Sequence, residues 1–144
     1  MLREIYHSVI ITTVVADELA AATKPSILAI LELDWIQQRT LTNSAIAQQL
    51  QRERGLDAGE ASAIALALEL QADDLLIDER LGRREALKLG LSIIGILGIL
   101  VTAKQRNLIP LVRPIMDNLI HQAGFRVGTR LYQEVLHLCQ ESGN

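Results

Sequence analysis

The sequence predicts an α/β fold, a parallel sheet covered by helices on both faces. Three observations predict it. Short apolar runs (SVII, LLI and LSII) alternate along the chain with longer stretches of helical period. Those runs lack the apolar–polar alternation of a half-exposed sheet, as strands buried on both faces do. The 144 residues are 49% hydrophobic and 22% charged, one domain's length and apolar enough to fold without a metal or disulfide staple.

The elements follow in order. Ser8–Ile11 reads as a buried strand. Thr12 or Thr13 caps a helix, VVADELAAA, ending near Thr23. Pro25 suits the first turn of the helix SILAILEL. Trp35–Leu41 reads as a second strand, at or near a sheet edge. Asn43 and Ser44 can cap the helix AIAQQLQRER, which Gly55 stops. Asp57 opens the helix AGEASAIALALEL. Leu75–Ile77 is a strand, followed by the helix ERLGRREALKL and a stop at Gly90. Leu91–Ile94 is a strand, and Gly95 turns it into the helix ILGILVTAKQR. Pro110 or Pro114 starts a helix through His121, ended by Gly124, and Thr129 caps a last helix to about Gln140. No internal repeat is present, so 1–144 reads as a single domain with 108–144 a C-terminal helical extension.

Charge and composition exclude several classes. Fourteen basic and 17 acidic residues give a net charge of −3, so nucleic-acid contact would need a local patch. Cys139 is the one cysteine; it cannot make an internal disulfide or a cysteine-rich zinc site, and it reads as a packed small residue. Reducing cytoplasm is the expected compartment. The uncharged run from Leu89 to Ala103 is shorter than the ~20 residues a membrane span needs. Ser8–Ala16 resembles a leader core, but Glu4, Asp17 and Glu18 argue against a signal peptide.

Three carboxylates sit where a parallel sheet places its ligands, beyond the carboxyl ends of strands. Residues placed at 100° steps from Val14 put Glu18 at about 40°, on the apolar arc with Val15, Leu19 and Ala22, while Asp17 falls outside it. Glu60 shares a face with Ala63, Ile64 and Ala67. It also stands at capping-box spacing from Asp57, and the two roles can coexist. Asp78 follows the strand Leu75–Ile77 and is either a site residue or the N-cap of the next helix. Asp73 and Asp74 precede that strand, at the far end. Converging carboxylates without a histidine or cysteine partner suit a hard cation, Mg²⁺ or Mn²⁺. Arg80, Arg83, Arg84 and Lys88 share one helical arc, either a phosphate-binding patch or a solvated face. No serine elbow, Walker loop or dinucleotide fingerprint is present.

LDAGEASAIALALEL and LLIDERLGRREALKLGLSIIGILGILVTAK resemble PIN-domain proteins, most of all a branch with an L-I-D-E-x-x-G-R signature related to toxins of the VapC type. The resemblance covers essentially the whole chain. It implies a three-layer α/β/α sandwich and metal-dependent RNA cleavage. Residue by residue, it carries acidic site roles onto Glu18 in VVADEL, onto Glu60, and onto Asp78, with Glu79 the second choice for that last position.

One departure stands out. The family's first, central strand, which carries an aspartate, has no counterpart here, and LREIYHSVII matches the segment leading into its second strand. The expectation is therefore a PIN-like ribonuclease scaffold of toxin–antitoxin type, weakly active or inactive. Its implied partners are RNA, an antitoxin protein and a second copy of the chain, with no membrane. The alternative is a non-catalytic protein- or RNA-binding remnant. A flavodoxin-like regulatory domain fits the rhythm but not the LLIDERLGR block.

Overall fold

The computed structural model describes residues 2–21 and 25–141, with only the backbone of Ser26, Ile27 and Ile30. Its strands pair in parallel and its residues are mostly helical, a mixed α/β fold. The chain divides into two units, Tyr6–Ile94 and Gly95–Asn144 with Met1–Ile5. No helix among the described residues is long and apolar enough to cross a membrane.

A short helix, α1 (Leu2–Tyr6), precedes β1 (Val9–Thr12), whose sequence VIIT is rich in the β-branched residues strands favour. The Thr12 side chain accepts from the Val15 N–H and caps α2 (Thr13–Ala20); the expected helix end near Thr23 lies outside the described residues. Pro25 opens α3 (Pro25–Leu28), which tightens into a 3-10 turn, Ala29–Glu32. Next comes β2 (Ile36–Arg39), parallel to β1 from Val9↔Ile36 to Thr12↔Arg39. Asn43 Oδ1 accepts from the Ala45 N–H at the start of α4 (Ala45–Arg54). Gly55 ends that helix at φ 72°, a left-handed conformation glycine adopts without a steric penalty.

Asp57 caps α5 (Ala58–Leu70), the centre of the unit, which packs against β1, α2, α4, α6 and β3. Its Ala61, Ile64, Ala65 and Ala67 form the core with Ala47, Leu50, Leu56, Leu75, Ile77 and Ala86. Then follow β3 (Leu75–Leu76), α6 (Arg80–Lys88) and β4 (Ile93–Ile94), with β3 parallel to β4. The second unit packs α7 (Ile96–Gln105), α8 (Arg113–His121) and α9 (Thr129–Leu138) around Leu100, Val112, Met116, Val135, Leu136 and Cys139. Cys139 is buried there as a small packed residue. Gly128, not Thr129, is the N-cap of α9.

The sheet departs from the expected single one. All pairing is parallel, but β1–β2 and β3–β4 are two separate two-stranded sheets. The Tyr6 hydroxyl donates to Asp74 Oδ2 at 3.2 Å, linking the residues just before β1 and just before β3. At the opposite ends, Thr12 of β1 bonds Ser62 of α5, while Ile77, after β3, shares the surroundings of Gly82 with the Glu60 carboxylate of α5. The strands β1 and β3 therefore run the same way over α5 without a ladder between them.

Candidate metal and nucleic-acid site

The site begins at the first turn of α5. Asp57 Oδ1 accepts from the Glu60 N–H at 2.8 Å, so the predicted cap is formed. The next turn position is Gly59, and the Glu18 carboxylate of α2 lies on it. A Cβ there would stand 2.8 Å from Glu18 Oε1 and 2.9 Å from Oε2, so the missing side chain admits the carboxylate. A helix N-terminus is the favourable end for a negative charge. Gly82 of α6 makes room chiefly for Ile77, with the Glu60 carboxylate at contact distance beside it. A Cβ there would meet Ile77 Cδ1 at 2.6 Å and Glu60 Oε2 at 3.4 Å. The Glu60 carboxylate thus turns towards α6.

Partial burial pushes the Glu60 carboxyl up to about 6, helped by the negative charges of Asp57, Glu79 and Glu18. Three acidic neighbours act on Glu60 here, with no cation among the causes. That is the electrostatic pattern of a carboxylate awaiting a proton or a metal ion.

Two buried hydroxyls fix the geometry. Ser62 Oγ donates to the Gly59 carbonyl at 2.8 Å and meets Thr12 Oγ1 at 2.7 Å. Each hydroxyl has one proton. Ser62 gives its proton to Gly59, so Thr12 donates to Ser62 while accepting from Val15. This relay ties the start of α2 to the start of α5 and sets Glu18 against Gly59.

Asp78 is exposed beyond β3. Glu79, not Asp78, is the N-cap residue of α6, and it is Glu79 whose charge reaches Glu60. Among the described residues, no group of three or more His, Cys, Asp and Glu side chains is gathered closely enough to hold a metal ion. Glu18 and Glu60 are therefore brought to one helix start, with Asp78 at the neighbouring strand end. Hard oxygen donors in this number suit Mg²⁺, which is commonly held by one or two carboxylates and retains several waters.

The four basic residues divide. Arg83 Nη1 donates to the Ile77 carbonyl at 3.5 Å, at the end of β3. Arg84 and Lys88 lie 3.8 Å and 3.2 Å from Glu85 Oε1, and Arg54 of α4 lies 3.8 Å from Oε2. Glu85 is only 3% exposed. Part of the predicted basic arc therefore neutralises a buried carboxylate and ties α4 to α6. Sequence reasoning missed Glu85, although a wheel of α6 places it beside Gly82 and Ala86 on the packed face. It also missed Ser62, a hydroxyl on an otherwise apolar helix, and the role of Gly59.

The family model described as PIN domain matches residues 1–141. No curated protein and no solved structure matches the chain.

Proposed function

Starting from the chain's membership of the PIN domain family, we propose that it is a metal-dependent ribonuclease scaffold of toxin–antitoxin type with weak cleavage activity. The observation that supports this reading best is the gathering of acids at the start of α5: the Glu18 carboxylate lies on Gly59, one residue from Glu60, whose carboxyl Asp57, Glu79 and Glu18 help to raise. Glu18, Glu60 and Asp78 are the residues that would hold Mg²⁺ or Mn²⁺, and the ion would supply Lewis acidity towards the phosphate and a more acidic bound water. Glu60, with its carboxyl near 6, can hold or release a proton close to neutral pH. Arg80 and Arg83 would orient the RNA backbone, while Arg84 and Lys88 serve Glu85 as well as phosphate. Weak activity follows from sparse ligation, because electrostatic stabilisation of a transition state requires the ion to be fixed closely. Association with a second copy or an antitoxin in the cytoplasm belongs to the same reading.

A second reading, a PIN domain that binds RNA or protein without cutting, is favoured by the lack of a three-ligand group among the described residues. Turnover of single-stranded RNA with Mn²⁺, with and without EDTA, separates the two. Slow, chelator-sensitive cleavage that disappears in Glu60→Gln is the expected result. RNA binding with no chelator-sensitive turnover selects the second reading.

A further inference from the structure

Glu85 gathers more positive charge than one carboxylate neutralises. Its side chain is 4% exposed, and three cations converge on it. Lys88 Nζ lies 3.2 Å and Arg84 Nη2 3.8 Å from Oε1, and Arg54 Nε lies 3.8 Å from Oε2. Three cations on one carboxylate leave a formal surplus of two positive charges where α4 meets α6. The C-terminal ends of the two helices, about half a negative charge each, offset only part of it. The chain as a whole carries −3, so this surplus is local. The cations also stay open to water, with side chains 54%, 64% and 50% exposed for Arg54, Arg84 and Lys88. Lys88 hydrogen-bonds to Glu85. At 3.8 Å the two guanidinium groups are attracted to Glu85 without bonding to it, so their planar donor forks can serve another acceptor. Arg80, Arg84 and Lys88 recur at four-residue intervals on α6, about 6 Å apart along its axis. The row begins at the turn of α6 where the Glu60 carboxylate lies beside Gly82, and it ends at Glu85, where Arg54 joins from α4.

We propose that Arg54, Arg84 and Lys88 form a phosphate subsite for single-stranded RNA, with Glu85 beneath them as the positioning residue. A strand with one phosphate near the acids runs along α6 and lays its flanking phosphates over the Glu85 cluster. A phosphodiester offers two oxygens to a guanidinium fork, which suits Arg54 and Arg84. A row of cations fits a backbone with one charge per unit better than it fits a lone ion. Glu85 holds the cations from below, so they lose little side-chain freedom when the strand arrives. Contacts of this kind position the strand and do not read its sequence. The inference rests on the RNA reading above, but not on cleavage.

The test uses the full chain, EDTA and a fluorescein-labelled oligouridylate of about twelve nucleotides, so binding is read without turnover. Anisotropy is expected to show saturable binding that weakens steeply with salt. Arg54→Gln should weaken it about fivefold at ~0.1 M salt and lower the slope of log K against log salt by about 0.7, the share of one phosphate contact on a single strand. Arg52→Gln removes the same charge from the same last turn of α4, away from Glu85, and should leave both nearly unchanged. If Arg54→Gln misfolds, Lys88→Gln, exposed on α6, carries the same expected loss. A folded Glu85→Gln variant gains positive charge yet should bind more weakly, because its cations lose their anchor; tighter binding would overturn the role of Glu85. Equal losses in Arg52→Gln and Arg54→Gln overturn the proposal, as does no binding up to ~1 mM. A capped oligoglutamate that binds as tightly, with the same dependence on Arg54, overturns it in favour of an acidic protein segment. Turnover with Mn²⁺ is scored separately. No cleavage with the expected Arg54 loss sinks the cleavage reading and leaves the subsite standing; cleavage with no Arg54 effect does the reverse.

Discussion

Glu60 and Glu85 sit on packed neighbouring helices, α5 and α6, and meet opposite surroundings. Glu85 is buried and ringed by Arg54, Arg84 and Lys88. Glu60 is more open, yet its charged neighbours are Asp57, Glu79 and Glu18, and its carboxyl is pushed up to about 6. The first arrangement lowers the cost of a buried charge and serves the fold. The second leaves like charges together, which lowers stability and persists where a cation or proton is to be received. Burial alone does not separate the two glutamates; the sign of the surrounding charge does.

The largest expected effect tests the structural half of that contrast. Glu85→Ala removes the contacts of three cations and leaves a void, and should cost roughly 2–3 kcal/mol. The value falls below the usual penalty for breaking a buried pair because the stranded cations reach water. Urea unfolding measures it, and a loss under about 0.5 kcal/mol would mean the Glu85 cluster is ornamental.

Thr12→Val interrupts the hydroxyl relay that sets Glu18 beside Gly59. It deletes the acceptor of the Val15 N–H and the donor to Ser62, so about 1–2 kcal/mol should be lost. Thr12→Ser keeps both functions and should recover most of the loss; equal damage from both variants would point to packing instead.

Glu60→Gln acts in the other direction and depends on pH. A carboxyl raised in the folded state contributes stability below its unfolded value near 4.5, lost as pH rises through about 6. The variant should therefore match the parent near pH 4 and exceed it at pH 8 by less than ~1 kcal/mol, since the group is partly solvated. Mn²⁺ should pull the transition below 6 by favouring the ionised form. A variant less stable than the parent at pH 8 would end the contrast between the two glutamates.

The smallest effect on stability is expected for Gly59→Ala. The new Cβ meets the far end of a flexible Glu18 side chain, and the helix gains up to about 1 kcal/mol of propensity. Thermal stability should hold or rise while Mn²⁺ affinity, read by the pH shift of unfolding, falls. Unchanged affinity would remove Glu18 from the site.

Much of the secondary structure was legible because its determinants are local. Thr12 and Asp57 cap helices, Gly55 ends one, Pro25 starts one, and the β-branched run before Thr12 forms a strand. A helical wheel put Glu18 and Glu60 on the apolar arcs of their own helices; that the Glu18 carboxylate comes to Gly59, at the start of α5, was not legible, because no local rule says which distant helix an arc meets. Glu79 taking the cap of α6 from Asp78 was not legible either, because adjacent acids are equivalent to any local rule.

The sequence by itself determined where strands and helices begin, the parallel pairing that helices between strands impose, and the acids available for a site. Tertiary structure alone decided that β1 and β3 do not pair, that Arg54 of α4 reaches Glu85 of α6, and that the Glu18 carboxylate lies on Gly59. Capping and periodicity act over three or four residues, within reach of a local reading. A ladder between strands, the charge around a buried acid and the space over a glycine depend on segments dozens of residues apart. Their positions are set only when the core closes around α5.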